Sequence, residues 1–113
     1  RVSFFRGSWI ADYPDAENYL SLFYSRNFTP AGPNYTRFGS AEFDRLYLLA
    51  SGENNYGKRI QYYRQMDSLI MEEAPVIVLF YDQVLRFVRS DISGLGSNPL
   101  NLLNLKTVRK NGE

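Results

Sequence analysis

Between Asn55 and Pro75 the apolar residues keep a helical beat, with Ile60, Tyr63, Met66, Leu69 and Ile70 on one stripe. This spacing predicts a helix over Tyr56–Glu73, capped by Asn54 or Asn55 and blocked from continuing by Pro75. Glu72 and Glu73 fall at the end of that helix where the dipole disfavours acids, so something local is expected to offset them. Just upstream, Ser40 is placed as the N-cap of another helix, with Glu42 and Asp44 in its first turn. Phe43, Leu46, Tyr47 and Ala50 form its stripe, and Gly52 ends it.

Around this pair the pattern changes period. Val2 to Ala11 reads as a strand interrupted at Gly7, and Asp15 to Tyr24 as a helix with Pro14 near its start and Tyr19, Leu20 and Phe23 on one side. Arg26 to Gly39, with Pro30, Gly32, Pro33 and Gly39, is a loop. Val76–Tyr81 is apolar on both faces and predicts a central, covered strand. Asp82-Gln83 would turn it, and Val84 to Val88 would return as a strand. Ser90 to Asn98 reads as a loop, and Leu100 to Val108 as a last strand or an irregular edge. The expected class is therefore α+β, a two-layer fragment in the order strand, three helices, then antiparallel strands. A length of 113 residues is one domain, so residues 1–113 are taken as one unit. The chain opens at Arg1, without a methionine and already inside a strand-like run, and is expected to be a piece of something longer.

Charge and residue types narrow the chemistry. A net charge of +1 with interspersed signs gives no electrostatic case for nucleic acid or an anionic membrane, and the basic tail (Lys106, Arg109, Lys110) reads as a solvated end. The chain has no histidine and no cysteine. It thus lacks the commonest general base and metal ligand, and with them thiol nucleophiles, zinc–thiolate sites and disulfides. No phosphate-cradling glycine loop follows a strand, and no acid pair other than one involving Asp12 suggests a cleft. The reading is a protein without enzymatic chemistry, metal or cofactor. The longest apolar run, Val76–Tyr81, is far short of the roughly 20 residues of a membrane helix.

The segment Ser8-Trp9-Ile10-Ala11-Asp12-Tyr13-Pro14-Asp15 carries the best candidate site. It delivers one acid between two aromatics, just before a proline, and aromatic walls strengthen a carboxylate's contact with a cation. Two readings of Asp12 stand: an acid that caps the following helix, or a ligand contact for a cationic group. Trp9 is either core packing at a strand end or a cleft wall; strand alternation puts it on the face opposite Asp12 unless the strand twists or bulges. Tyr13 faces the same choice. In the loop Gly32-Pro33-Asn34-Tyr35-Thr36-Arg37-Phe38, Asn34 and Tyr35 either stiffen a connection or present hydrogen-bonding groups to a ligand.

Trp9-Ile10-Ala11-Asp12-Tyr13-Pro14-Asp15, then Asn34-Tyr35, Phe43-Asp44, and Glu73-Ala74-Pro75-Val76-Ile77 before an aromatic run resemble, in that order, the C-terminal part of bacterial extracellular solute-binding proteins of family 5. These are the oligopeptide- and dipeptide-binding components of ABC importers, and the likeness runs from about Ser8 to Val108. It implies part of one lobe of a periplasmic-binding-protein type II fold, two lobes of which close over a ligand. It also implies that Asp12 matches the acid pairing with a peptide's α-amino group and Trp9 a neighbouring cleft aromatic. Ser8 and Ala16 stand where a glycine and a second proline are usual. The implied partners are a peptide ligand and an ABC permease, with the parent protein outside the cytoplasmic membrane, in a periplasm or held by a lipid anchor. Related members bind sugars, metal chelates or haem, so a non-peptide ligand is the alternative within the fold, and an autonomous protein-interaction module the alternative outside it. The isolated piece is expected to bind peptide weakly or not at all, and its open strand edges to favour self-association.

Overall fold

Side-chain caps open both long helices where the residue spacing puts them. The computed structural model describes residues 3–81, 83, 85–97 and 102–111. Among them are three α-helices, α1 (Glu17–Leu20), α2 (Ala41–Gly52) and α3 (Tyr56–Glu73), then two short strands, β1 (Ile92–Ser93) and β2 (Arg109–Lys110). The class is α+β. The chain divides into two units, Arg1–Val78 and Leu79–Glu113.

In the first unit, Ser40 Oγ accepts from the Phe43 amide at 3.3 Å, and Asn55 Oδ1 from the Lys58 amide at 3.0 Å. Three residues, Glu53 to Asn55, join α2 to α3, and a connection this short makes a helical hairpin. Its seam is built from Phe43, Leu46 and Ala50 of α2 against Tyr63, Met66 and Ile70 of α3. Phe43 and Met66 are 0% exposed. Each such side chain stabilises the hairpin by about 1.5–3 kcal/mol on leaving water. The edge-to-face rings of Phe23, Phe38 and Phe43, with centroids 5.7–6.4 Å apart, extend the core towards the preceding loop. α3 ends through Ala74, which is left-handed at φ 47° and returns its amide to Ile70 O at 2.8 Å. Glu72 and Glu73 are exposed and form no ion pair among the described residues, so no local cation that would offset them is found there.

The helix read over Asp15–Tyr24 is shorter than expected. It is α-helical only over Glu17–Leu20 and tightens to a 3-10 turn over Ser21–Phe23. Two carboxylates dock it. Glu17 accepts from the hydroxyls of Tyr13 and, on α2, Tyr47. Asp15 accepts from the Glu17 amide at 3.0 Å and, on α3, from the Tyr63 hydroxyl at 2.8 Å, with the Arg59 guanidinium 3.2 Å away. Leu20 is buried behind them in the same core.

The expected strands fare differently. Residues 3–11 are irregular, and so are 76–81, 83, 85–88 and 102–108. Asp82, Val84, Asn98 and Leu100 lie outside the described residues, as does Val2. Far from being covered, Val78, Leu79, Phe80 and Tyr81 are exposed, as is Phe87 at 97%. A β pattern becomes a strand only where it joins a ladder, and the one sheet among the described residues is the β1–β2 pair. The covered central strand is thus corrected. The second unit instead pairs β1 with β2 antiparallel, Ile92 opposite Lys110 and Ser93 opposite Arg109, so part of the basic tail is strand and the Ser90–Asn98 loop contributes its partner. Gly94 turns away from β1 at φ +78°, and a Cβ there would collide with the Thr107 carbonyl. Around it Thr107 Oγ1 donates to Gly94 O at 2.8 Å, and the Asn111 amide to Asp91 O at 2.6 Å.

Two predictions follow from this architecture. Gly94→Ala is expected to abolish hydrogen-exchange protection of the Ile92 and Asn111 amides while leaving α2 and α3 protected; retained protection at Asn111 would contradict the geometry. Burial alone raises an acid's pKa, yet the Glu17 amide, the Tyr63 hydroxyl and Arg59 outweigh it and hold the Asp15 carboxyl below its ordinary 3.8. A depressed carboxyl contributes stability above its unfolded pKa and loses that contribution as pH falls through the lower native value. Asp15→Asn should therefore destabilise the fold at neutral pH by about 1.5–3 kcal/mol, with the difference from the parent shrinking below pH 3.8 in urea titrations.

Candidate ligand-binding site

The segment from Trp9 to Asn18 is fixed at both ends and free in the middle. The Trp9 indole N–H donates to Oδ1 of buried Asn18 at 2.7 Å, tying the half-buried ring to α1. Downstream, the Asp15 amide donates to Tyr13 O at 2.9 Å, and the Tyr13 hydroxyl is committed to Glu17. Between these anchors lies Asp12, exposed, with no hydrogen bond or ion pair among the described residues.

The capping reading of Asp12 is therefore corrected. The acid that folds back on the start of α1 is Asp15, three positions later, through the Glu17 amide. Asp15 was missed as a structural hub because its partners Arg59 and Tyr63 lie 44 and 48 positions away and no local pattern announces them. A signal was nonetheless present: an acid immediately after a proline at a helix start is the residue placed to accept the first free amides.

Electrostatically the site is divided. Burial first, then the Glu17 carboxylate, pushes the Tyr47 hydroxyl above its ordinary 10.0; burial and the Asp15 carboxylate do the same to Tyr63. Both phenols thus stay protonated donors, which keeps the carboxylates of Asp15 and Glu17 occupied. Among the described residues, Asp12 is left as the acid of this segment with no internal donor.

Trp9, Asp12 and Tyr13 are together on the approach to α1. Asn34 and Tyr35 are not joined to them by any hydrogen bond among the described residues. Asn34 is 0% exposed, with its Nδ2 donating to Tyr24 O at 3.1 Å and Phe38 O at 2.9 Å and its Oδ1 accepting from Thr36 Oγ1. In this conformation its side chain is spent on the loop, so the expectation that it presents a hydrogen-bonding group outward is not met. Tyr35, next to it, is 63% exposed. A concavity of about 270 Å³ along α2 and α3, lined by Glu42, Leu46, Gln65, Ser68, Leu69 and Glu72, contains none of these five residues. Among the described residues no cluster of acids could hold a metal ion, and no helix is long and apolar enough to cross a membrane.

Comparison with known proteins supplies the context. No family model matches the chain. Individual relatives do. The chain is 30% identical over 112 residues, 98% of its length, to the dipeptide-binding protein DppE of Bacillus subtilis. It is 24% identical over 100 residues, 88% of its length, to the dipeptide-binding protein of Escherichia coli. To the periplasmic murein peptide-binding protein MppA of Escherichia coli it is 29% identical over 104 residues, 91% of its length. It spans only about a fifth of the length of these curated relatives, 19%, 20% and 19% respectively. Order of motifs and length of match agree: over most of its residues this chain is similar to the C-terminal portion of the peptide-binding extracellular solute-binding proteins of family 5.

Proposed function

We propose that this chain is the part of a solute-binding protein lobe that receives the amino terminus of a peptide, with Asp12 as the acceptor. The observation that carries the reading is the isolation of the Asp12 carboxylate. Every other carboxylate on the approach to α1 is occupied by internal donors, whereas Asp12 is exposed between two pinned aromatics. An acid left without a partner at a fixed place is chemically suited to an ammonium group, and a charge-assisted hydrogen bond there contributes about 1.5–3 kcal/mol. A binder of peptides with varied sequences has to grip what all of them share, and the free amine is one such feature.

Trp9 and Tyr13 flank the acceptor, and exposed Tyr35 is the further aromatic offered to ligand. Asn34 braces the loop that carries Tyr35 through its bonds to Tyr24 O, Phe38 O and Thr36 Oγ1. The relatives are named as binding proteins, which supports binding without catalysis. In the complete protein the reading places this segment in a type II lobe outside the cytoplasmic membrane, periplasmic or lipid-anchored, delivering ligand to an ABC permease. The exposed apolar residues from Ile77 to Tyr81 support the further expectation that the isolated piece self-associates.

In the full-length protein, Asp12→Asn is expected to weaken a free-amine dipeptide by roughly 10- to 100-fold in calorimetric titration and its N-acetylated counterpart far less. Equal weakening of the two peptides would refute the assignment.

A further inference from the structure

Among the described residues Asp12 makes no bond of its own, so its position is set by the groups on either side of it. Upstream the chain is held by Trp9 on Asn18; downstream it is held by Tyr13, whose carbonyl accepts from the Asp15 amide. Both anchors lie within the same short helical start, and a helix of one turn has little rigidity of its own. What indexes this start to the rigid hairpin on the α3 side is Asp15, through the Tyr63 hydroxyl at 2.8 Å and Arg59 at 3.2 Å. Tyr63 is itself packed in the core, and Arg59 is steadied over the Tyr56 ring at 5.7 Å.

We infer that Asp15 and Tyr63 are positioning residues for the Asp12 carboxylate, setting how well this site grips the amine of a peptide. The inference rests on the proposed function and adds to it the device that holds the acceptor in place. Capping alone accounts for the bond from the Glu17 amide to Asp15, but it needs neither the Tyr63 hydroxyl nor Arg59. The long-range pair serves a different end: it fixes the turn that carries Asp12 relative to α3. A preorganised acceptor meets its ligand without the cost of ordering a mobile turn at the moment of binding.

The test uses the full-length protein and a matched pair of dipeptides, free and N-acetylated, against Tyr63→Phe, Asp15→Asn, Asp15→Ala and Asp12→Asn. Tyr63→Phe keeps the buried ring and removes only the hydroxyl. It is expected to lower affinity for the free-amine peptide roughly three- to tenfold while leaving the acetylated one nearly unchanged. Asp15→Asn, which keeps Oδ1 for the Glu17 amide and the Tyr63 hydroxyl but loses the ion pair with Arg59, should weaken free-amine binding less than Asp15→Ala. If Tyr63→Phe weakens both peptides equally, or neither, while Asp12→Asn still discriminates between them, the positioning role is overturned and the Asp12 assignment stands. If Asp12→Asn does not discriminate, both fall together.

Discussion

Exclusion of water from Phe43 and Met66, one from each arm of a helical hairpin, is the constraint on which the rest of the first unit depends. Both arms draw most of their stability from this packed face, because helical propensity alone contributes little in water. Once the seam closes, it offers fixed points on both helices: Tyr47 and Asp44 on α2, Tyr63 and Arg59 on α3. The less regular N-terminal segments hang from these points by polar contacts. Glu17 takes Tyr47, Asp15 takes Tyr63 and Arg59, and Asp44 takes the Ser25 amide and hydroxyl. A hydrophobic seam thus supplies stability, and carboxylates supply orientation.

The two long helices were legible because everything that defines them is local. Ser40, Asn55 and Pro75 mark their limits, and the apolar stripes select their inner faces. The strand readings at Val2–Ala11 and Val76–Tyr81 failed for the opposite reason. A β pattern in sequence states only that a segment is fit to be paired, and the pairing itself must come from elsewhere. Equally, two residues each at Ile92–Ser93 and Arg109–Lys110 are too short a run for any alternation to reveal, yet a sharply turned glycine and the side-chain bond of Thr107 bring them together.

At the site, the sequence left two roles open for Asp12, and the folded chain removes one of them, the cap. Of the three acids in six positions, Asp12, Asp15 and Glu17, the sequence marks Asp12 by its flanking aromatics but shows none of their partners. The folded chain tells them apart by distant partners: Asp15 answers to α3 and Glu17 to α2, which leaves Asp12 with none among the described residues. Asn34 was misread for a similar reason. A polar residue among turn formers reads as surface, but here the loop closes around it, and its amide donates to the carbonyls of Tyr24 and Phe38.

The indole of Trp9 has a use beyond packing. It is the sole tryptophan of this segment, it sits three positions before the free acid, and its N–H is already bonded to Asn18. Its fluorescence colour and lifetime therefore respond to the wetness of one short stretch of backbone. That makes the native chromophore an intrinsic optical gauge of this stretch, with no dye attached and no residue replaced.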